Sequence, residues 1–164
     1  MTSDQQERTA TITTPTEREI HIERVFDAPR DLVFEVYTDP ELIPEWWGPR
    51  ESPAVVDRMD VRTGGDWRFV VRNEDGSETA FRGTYREVSP PERIVQTFEW
   101  EGMPGHVCVE TAVFEDLGDR TKVTTTSAFH TPEERDGMLA SGMERGLNET
   151  YARLDELLAR LVNR

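Results

Sequence analysis

Between residues 53 and 129 apolar side chains return at every second position; from Thr131 onward they return at every third or fourth. This single change of period constrains the fold more than any other feature of the chain. A period of two buries one face of a strand, and a period near 3.6 buries one stripe of a helix. The first regime predicts strands around Val55, Met59 and Val61, then Trp67, Phe69 and Val71, then Phe81, Gly83 and Tyr85. Ile94, Gln96, Phe98 and Trp100 follow, then segments 106–115 and 121–129. Gly64-Gly65, residues 73–77, Ser89-Pro90-Pro91, residues 102–105 and Leu117-Gly118-Asp119 separate them, so the run reads as successive antiparallel hairpins. The second regime predicts one helix, N-capped by Thr131 with Pro132 in its first turn. Its stripe is Leu139, Met143, Leu147, Tyr151, Leu154, Leu158 and Leu161.

Upstream, residues 17–27 predict a first strand. Ala28-Pro29 ends it, and two short helices follow, one through Leu32, Val33, Val36 and Tyr37, the other through Ile43 and Trp46. The expected class is α+β: seven antiparallel strands curved around a long C-terminal helix, with two short helices between strands 1 and 2. Residues 1–16 are rich in Thr, Ser and Gln, and are expected to be a disordered tail ahead of a single domain at 17–164.

Composition removes several function classes. Lys and Arg total 19 against 33 Asp and Glu, a net charge of -14. That excludes the basic stripe on which nucleic-acid binding depends. No apolar run is long enough to span a membrane. Cys108 is the only cysteine, so no internal disulfide and no Cys-based metal site can form, and a reducing cytoplasm is the expected compartment. The three histidines, His21, His106 and His130, lack the spacing of a metal pair, and no nucleophile elbow or phosphate loop occurs. Neither a metal, a cofactor nor a catalytic residue is expected.

Four blocks in order carry a resemblance: residues 23–49 (ERVFDAPRDLVFEVYTDPELIPEWWGP), 60–69 (DVRTGGDWRF), 82–100 (RGTYREVSPPERIVQTFEW) and 141–158 (SGMERGLNETYARLDELL). They resemble the helix-grip superfamily of START-type lipid carriers, polyketide cyclases and aromatases, and plant pathogenesis-related allergens. The nearest likeness is to the branch named after the C-terminal domain of the activator of a heat-shock chaperone ATPase. The resemblance implies the helix-grip fold. It does not imply one activity, because the superfamily spans carriers, enzymes, receptors and co-chaperone modules. The co-chaperone of that branch carries a further N-terminal domain, which a short tail replaces here, so chaperone contact is not expected.

Three groups are candidates for a binding site. Trp46 and Trp47 are adjacent, so their side chains diverge by roughly 100° on a helix; one is expected inside and the other at a cavity mouth. On the strands Val55, Met59, Trp67, Phe69, Phe81, Tyr85, Ile94, Phe98 and Trp100 are expected to face inward, with Gln96, Thr125 and Ser127 as polar companions. On the C-terminal helix Gly142, Gly146 and Thr150 fall on one line, flanked by Met138 and Met143. A mid-helix glycine costs about 1 kcal/mol relative to alanine, so this ridge predicts either a close approach of the sheet or space for a ligand. Arg24 and Glu110 are charges within apolar strands and predict a buried pair or a polar cavity contact.

The expected function is non-catalytic binding of a small hydrophobic or amphipathic molecule (a lipid, polyketide or aromatic metabolite) between sheet and C-terminal helix, by a monomer or homodimer. An enzyme of cyclase, dehydratase or hydrolase type, using Tyr85, Glu110 and His106, is the first alternative. A chaperone-interaction module is the second.

Overall fold

The computed structural model describes residues 10–163. Eight strands form one antiparallel sheet: β1 (Thr11–Thr13), β2 (Glu19–Phe26), β3 (Val55–Met59), β4 (Asp66–Arg72), β5 (Glu78–Ser89), β6 (Arg93–Trp100), β7 (Val107–Asp116) and β8 (Thr121–Ala128). Their spatial order is β1-β2-β8-β7-β6-β5-β4-β3. Pairing of β2 with β8 sets the first long strand beside the last. Four helices complete the fold: α1 (Arg30–Thr38), α2 (Ile43–Trp46), α3 (Pro132–Ala140) and α4 (Met143–Val162). This is the helix-grip arrangement that the sequence predicts.

Three details differ from the sequence reading. The sheet has eight strands rather than seven, and the extra one, β1, lies within residues 1–16; Ile12 pairs with Ile22 and packs on the core. The remainder of the expected tail, residues 1–9, lies outside the described residues. In β3, a bulge shifts the register between Val56 and Arg58. A bulge inserts one residue and reverses the inward parity beyond it. Val56 and Met59 therefore share the inner face, and Val55 is 63% exposed instead of facing inward.

The third difference concerns the C-terminal helix. It is not continuous: α3 ends at Ala140, and α4 starts after Gly142, whose φ of 84° is left-handed. Side chains rarely adopt that conformation and glycine adopts it freely. Gly142 thus caps α4 instead of continuing a ridge with Gly146 and Thr150. Thr131 caps α3 as predicted, its Oγ1 accepting from the Glu134 amide at 3.1 Å.

The core lies between the C-terminal half of α4 and the inner face of the sheet. Leu154, Leu157, Leu158 and Tyr151 are buried there with Ile20, Phe26, Val33, Val36 and Phe114. Two arginines fix the helix. Arg24 on β2 is buried and binds both carboxylate oxygens of Asp155. Arg153 is buried as well and donates to the carbonyls of Pro44 and Glu45 in α2 (3.2 and 3.1 Å) and of Gly48 (2.6 Å). Carbonyls at a helix C-terminus lack intrahelical partners, so this guanidinium completes α2 and anchors the segment that carries Trp47.

Candidate functional site: a cleft between the sheet and the two C-terminal helices

Toward the α3 end the packing opens. α3 contributes no buried residue, and no buried residue of α4 precedes Tyr151. Beneath them lie three adjoining compartments. The inner one, about 190 Å³, is lined by Tyr37, Ile43, Trp46, Phe69, Tyr85, Ile94 and Tyr151. The middle one, about 520 Å³, shares Ile22, Trp47, Glu110, Leu147 and Thr150 with the inner. The outer one, about 670 Å³, shares Phe81, Phe98, Cys108, Phe129, Met138 and Met143 with the middle and adds Trp100, Met103 and Gly142. Ligand pockets span roughly 300–1,000 Å³ and combine an apolar lining with a few polar groups.

Strand register produces the polar groups. Tyr85 lies opposite Gln96, Gln96 opposite Glu110, Glu110 opposite Ser127, and Ser127 opposite Ile20. Directly opposed residues share a face, so one row of polar side chains crosses the floor of the cleft. Glu110 is its centre. Ser127 Oγ donates to Glu110 Oε2 at 3.4 Å, and Gln96, directly opposite, is a second polar neighbour that favours the ionised carboxylate. Withdrawal from water outweighs these polar neighbours and pushes the Glu110 pKa up to about 7. Burial likewise raises the phenol of Tyr85 and the thiol of Cys108, so both stay protonated at neutral pH. Tyr151 is pushed up to about 12, chiefly by burial, with Tyr37 and Thr125 acting in the opposite direction.

The two tryptophans divide. Trp46 is buried, with its indole N–H donating to the Val36 carbonyl at 2.9 Å. Trp47 stands on the cleft wall in edge contact with Phe69 and Phe81, at centroid distances of 5.2 and 5.3 Å. Phe81 stacks on Phe98 at 5.4 Å. Met138, Met143, Gly146 and Thr150 form the helical wall. A Cβ at Gly146 would meet nothing within 4 Å, so the glycine leaves open space; the sheet does not press on it.

Of the strand candidates, Val55, Met59 and Trp67 line none of these compartments; Val55 is turned outward by the bulge. Met59 and Trp67 pair across β3 and β4, and Trp67 is buried in the core. Its indole lies over Gly83, where a Cβ would come within 2.6 Å of the ring nitrogen and 1.9 Å of the Thr97 carbonyl oxygen. Trp100 is 43% exposed and borders only the outer compartment. Arg24 and Glu110 do not pair with each other: Arg24 is taken by Asp155, and Glu110 faces the cleft. His106 binds Glu134 through Nδ1 at 2.9 Å near the outer opening. Sequence reasoning missed Arg153, whose acceptors are main-chain carbonyls with no sequence signature. It also missed Tyr37 and Ile22, whose place on the wall depends on long-range packing.

A sheet wrapped on one long helix, with a cleft between them, defines the helix-grip class. Comparison with known proteins agrees and narrows it. The sequence profile of the activator of Hsp90 ATPase homolog 1-like proteins matches residues 27–159, and the chain belongs to that family. Among solved structures, a protein of Rhodobacter sphaeroides is 25% identical, with 92% of this chain and 99% of that chain aligned and a TM-score of 0.85. A protein of Staphylococcus epidermidis is 27% identical over 92% and 94% of the two chains, with a TM-score of 0.79. A protein described as a putative product of the dynemicin biosynthetic locus is 21% identical over 88% of this chain and 48% of that one, with a TM-score of 0.68; that likeness shows the fold. No curated protein matches the chain. Among the described residues, no helix is long and apolar enough to cross a membrane.

Proposed function

We propose that the protein binds a small apolar or amphipathic molecule in the cleft, with its apolar body among Trp47, Phe81, Phe98, Met138 and Met143. The observation that supports this most directly is the middle compartment of about 520 Å³, apolar on its walls and carrying Glu110 on its floor. A core under selection for stability alone closes such space, because interiors pack to crystal-like density. Gly146 borders this compartment and leaves open space beside it. Trp46, Phe69, Tyr85, Trp100, Gly142 and Thr150 complete the proposed contact set around the three compartments.

Titration with the neutral fluorophore N-phenyl-1-naphthylamine tests the reading. Saturable 1:1 binding is expected, and it should be lost in Gly146→Phe, which fills the cleft, while thermal unfolding of that variant stays cooperative. Absence of saturable binding, or unchanged binding by a folded Gly146→Phe protein, would contradict it.

A second reading is favoured by Glu110 alone. A carboxyl with a pKa near 7, lodged in a cleft, suits general acid–base chemistry. Any turnover found on a bound molecule should then fall at least 100-fold in Glu110→Gln.

A further inference from the structure

The charges around the cleft carry the ligand question further. Among the described residues, neither the inner nor the middle compartment is lined by a lysine, arginine or histidine. The titratable groups that line these two compartments with Glu110 are Glu149, at the exposed rim, and Tyr151 on α4, Cys108 on its own strand, Tyr85 on β5 and Tyr37 on α1. None of these is a base that supplies positive charge. The neighbouring arginines are turned elsewhere: Arg24 to Asp155, Arg153 to the α2 carbonyls, and Arg50 to Glu156 at 2.7 Å. The outer compartment adds Glu133 and Glu134, with His106 bound to Glu134.

Glu110 is half-buried; a carboxylate withdrawn from water without a cation is costly, and a second carboxylate brought beside it costs more. The arrangement therefore disfavours fatty acids and other organic anions. It lacks what a positive head group would supply. The rings of Trp47, Phe81 and Phe98 stand on the walls of the same middle compartment as Glu110, and aromatic faces attract ammonium groups.

We infer that the ligand is a lipophilic amine, its protonated nitrogen on Glu110 and its apolar body among Trp47, Phe81, Phe98 and the two methionines. This rests on the proposed ligand-binding function and names its chemical class. Glu149 at the rim, with a net charge of -14 over the chain, steers such a cation toward the opening.

Three probes with one ring system and different heads test it: 1-naphthylmethylamine, 1-naphthalenemethanol and 1-naphthoate, titrated calorimetrically at pH 8 in 0.3 M salt. At that salt the screening length is short, roughly 5–6 Å, so that diffuse surface attraction is suppressed. The amine should bind at least tenfold more tightly than the alcohol, with naphthoate weakest. Glu110→Gln should bring the amine and alcohol within about twofold of each other, and Glu149→Gln should preserve most of the preference. Naphthoate binding as tightly as the amine would overturn the inference and leave ligand binding standing. So would an amine preference that survives Glu110→Gln, or one that disappears only in Glu149→Gln. If none of the three binds, and N-phenyl-1-naphthylamine does not either, the ligand-binding reading falls with it.

Discussion

The two halves of α4 face the same sheet and behave oppositely. Past Tyr151 the helix is closed down by Leu154, Leu157 and Leu158, by the Arg24–Asp155 pair and by Arg153 on the carbonyls of α2. Before Tyr151 it offers Met143, Gly146, Leu147 and Thr150 to an open cleft. The difference is one of side-chain size and helix continuity. Leucines fill the space between helix and sheet, while glycine leaves it. The left-handed turn at Gly142 sets α3 apart, so that no residue of α3 is buried. One half is scaffold, and the other is available for chemistry. This is how a rigid fold can carry a site that is free to vary.

Substitutions should separate the halves. Leu154→Ala, in the closed half at a residue that is 0% exposed, should cost about 3 kcal/mol or more. Leu147→Ala, at the cleft, should cost less than half as much; equal losses in urea unfolding would erase the distinction. Glu110→Gln should act in the other direction. A carboxyl whose folded pKa is raised from 4.5 to about 7 holds more protons folded than unfolded. Stability therefore falls as pH rises through that window, by about 1.4 kcal/mol per unit. At pH 8 the variant should be more stable by about 3 kcal/mol, with no gain below pH 4.5. A pH-independent effect would place Glu110 outside the cleft.

Smaller effects are expected at Arg153 and Gly146. Arg153→Leu should cost about 2 kcal/mol by leaving buried carbonyls unpaired. It should also red-shift tryptophan emission as the Trp47 segment loosens; an unchanged spectrum would mean that α2 is held by other contacts. Gly146→Ala should be the mildest. It removes a helical glycine and meets no neighbour, so it should stabilise by about 0.5–1 kcal/mol. A loss of stability would show that the cleft closes on Gly146 in solution.

Much of this was legible in the sequence. Period-two alternation located β4 to β8, because in a sheet with one buried face a strand must alternate. The Thr131 cap and the stripe from Met143 to Leu158 located the C-terminal helices. The break at Gly142 was hidden by that same stripe: Leu139 and Met143 keep helical spacing across it, and a glycine reads alike in a helix and at a cap. The β3 bulge was hidden as well, since Asp57 bears no mark that two residues there oppose one. The apolar candidates were found because aromatics on an inner face either fill it or line it. What separated Trp67, which fills, from Phe81 and Phe98, which line, was Gly83 beneath the Trp67 ring. The polar row from Tyr85 to Ser127 required the register of four strands, and no single strand's alternation contains it.

The most direct test of a closed half and an open half is a backbone amide shift map of the protein titrated with 1-naphthylmethylamine. Shifts are expected to be confined to residues 138–150 and to Trp47, Phe81, Phe98, Glu110 and their strand neighbours, with Leu154, Leu157 and Leu158 unmoved. Shifts centred on the closed half, or spread evenly over the surface, would contradict this division.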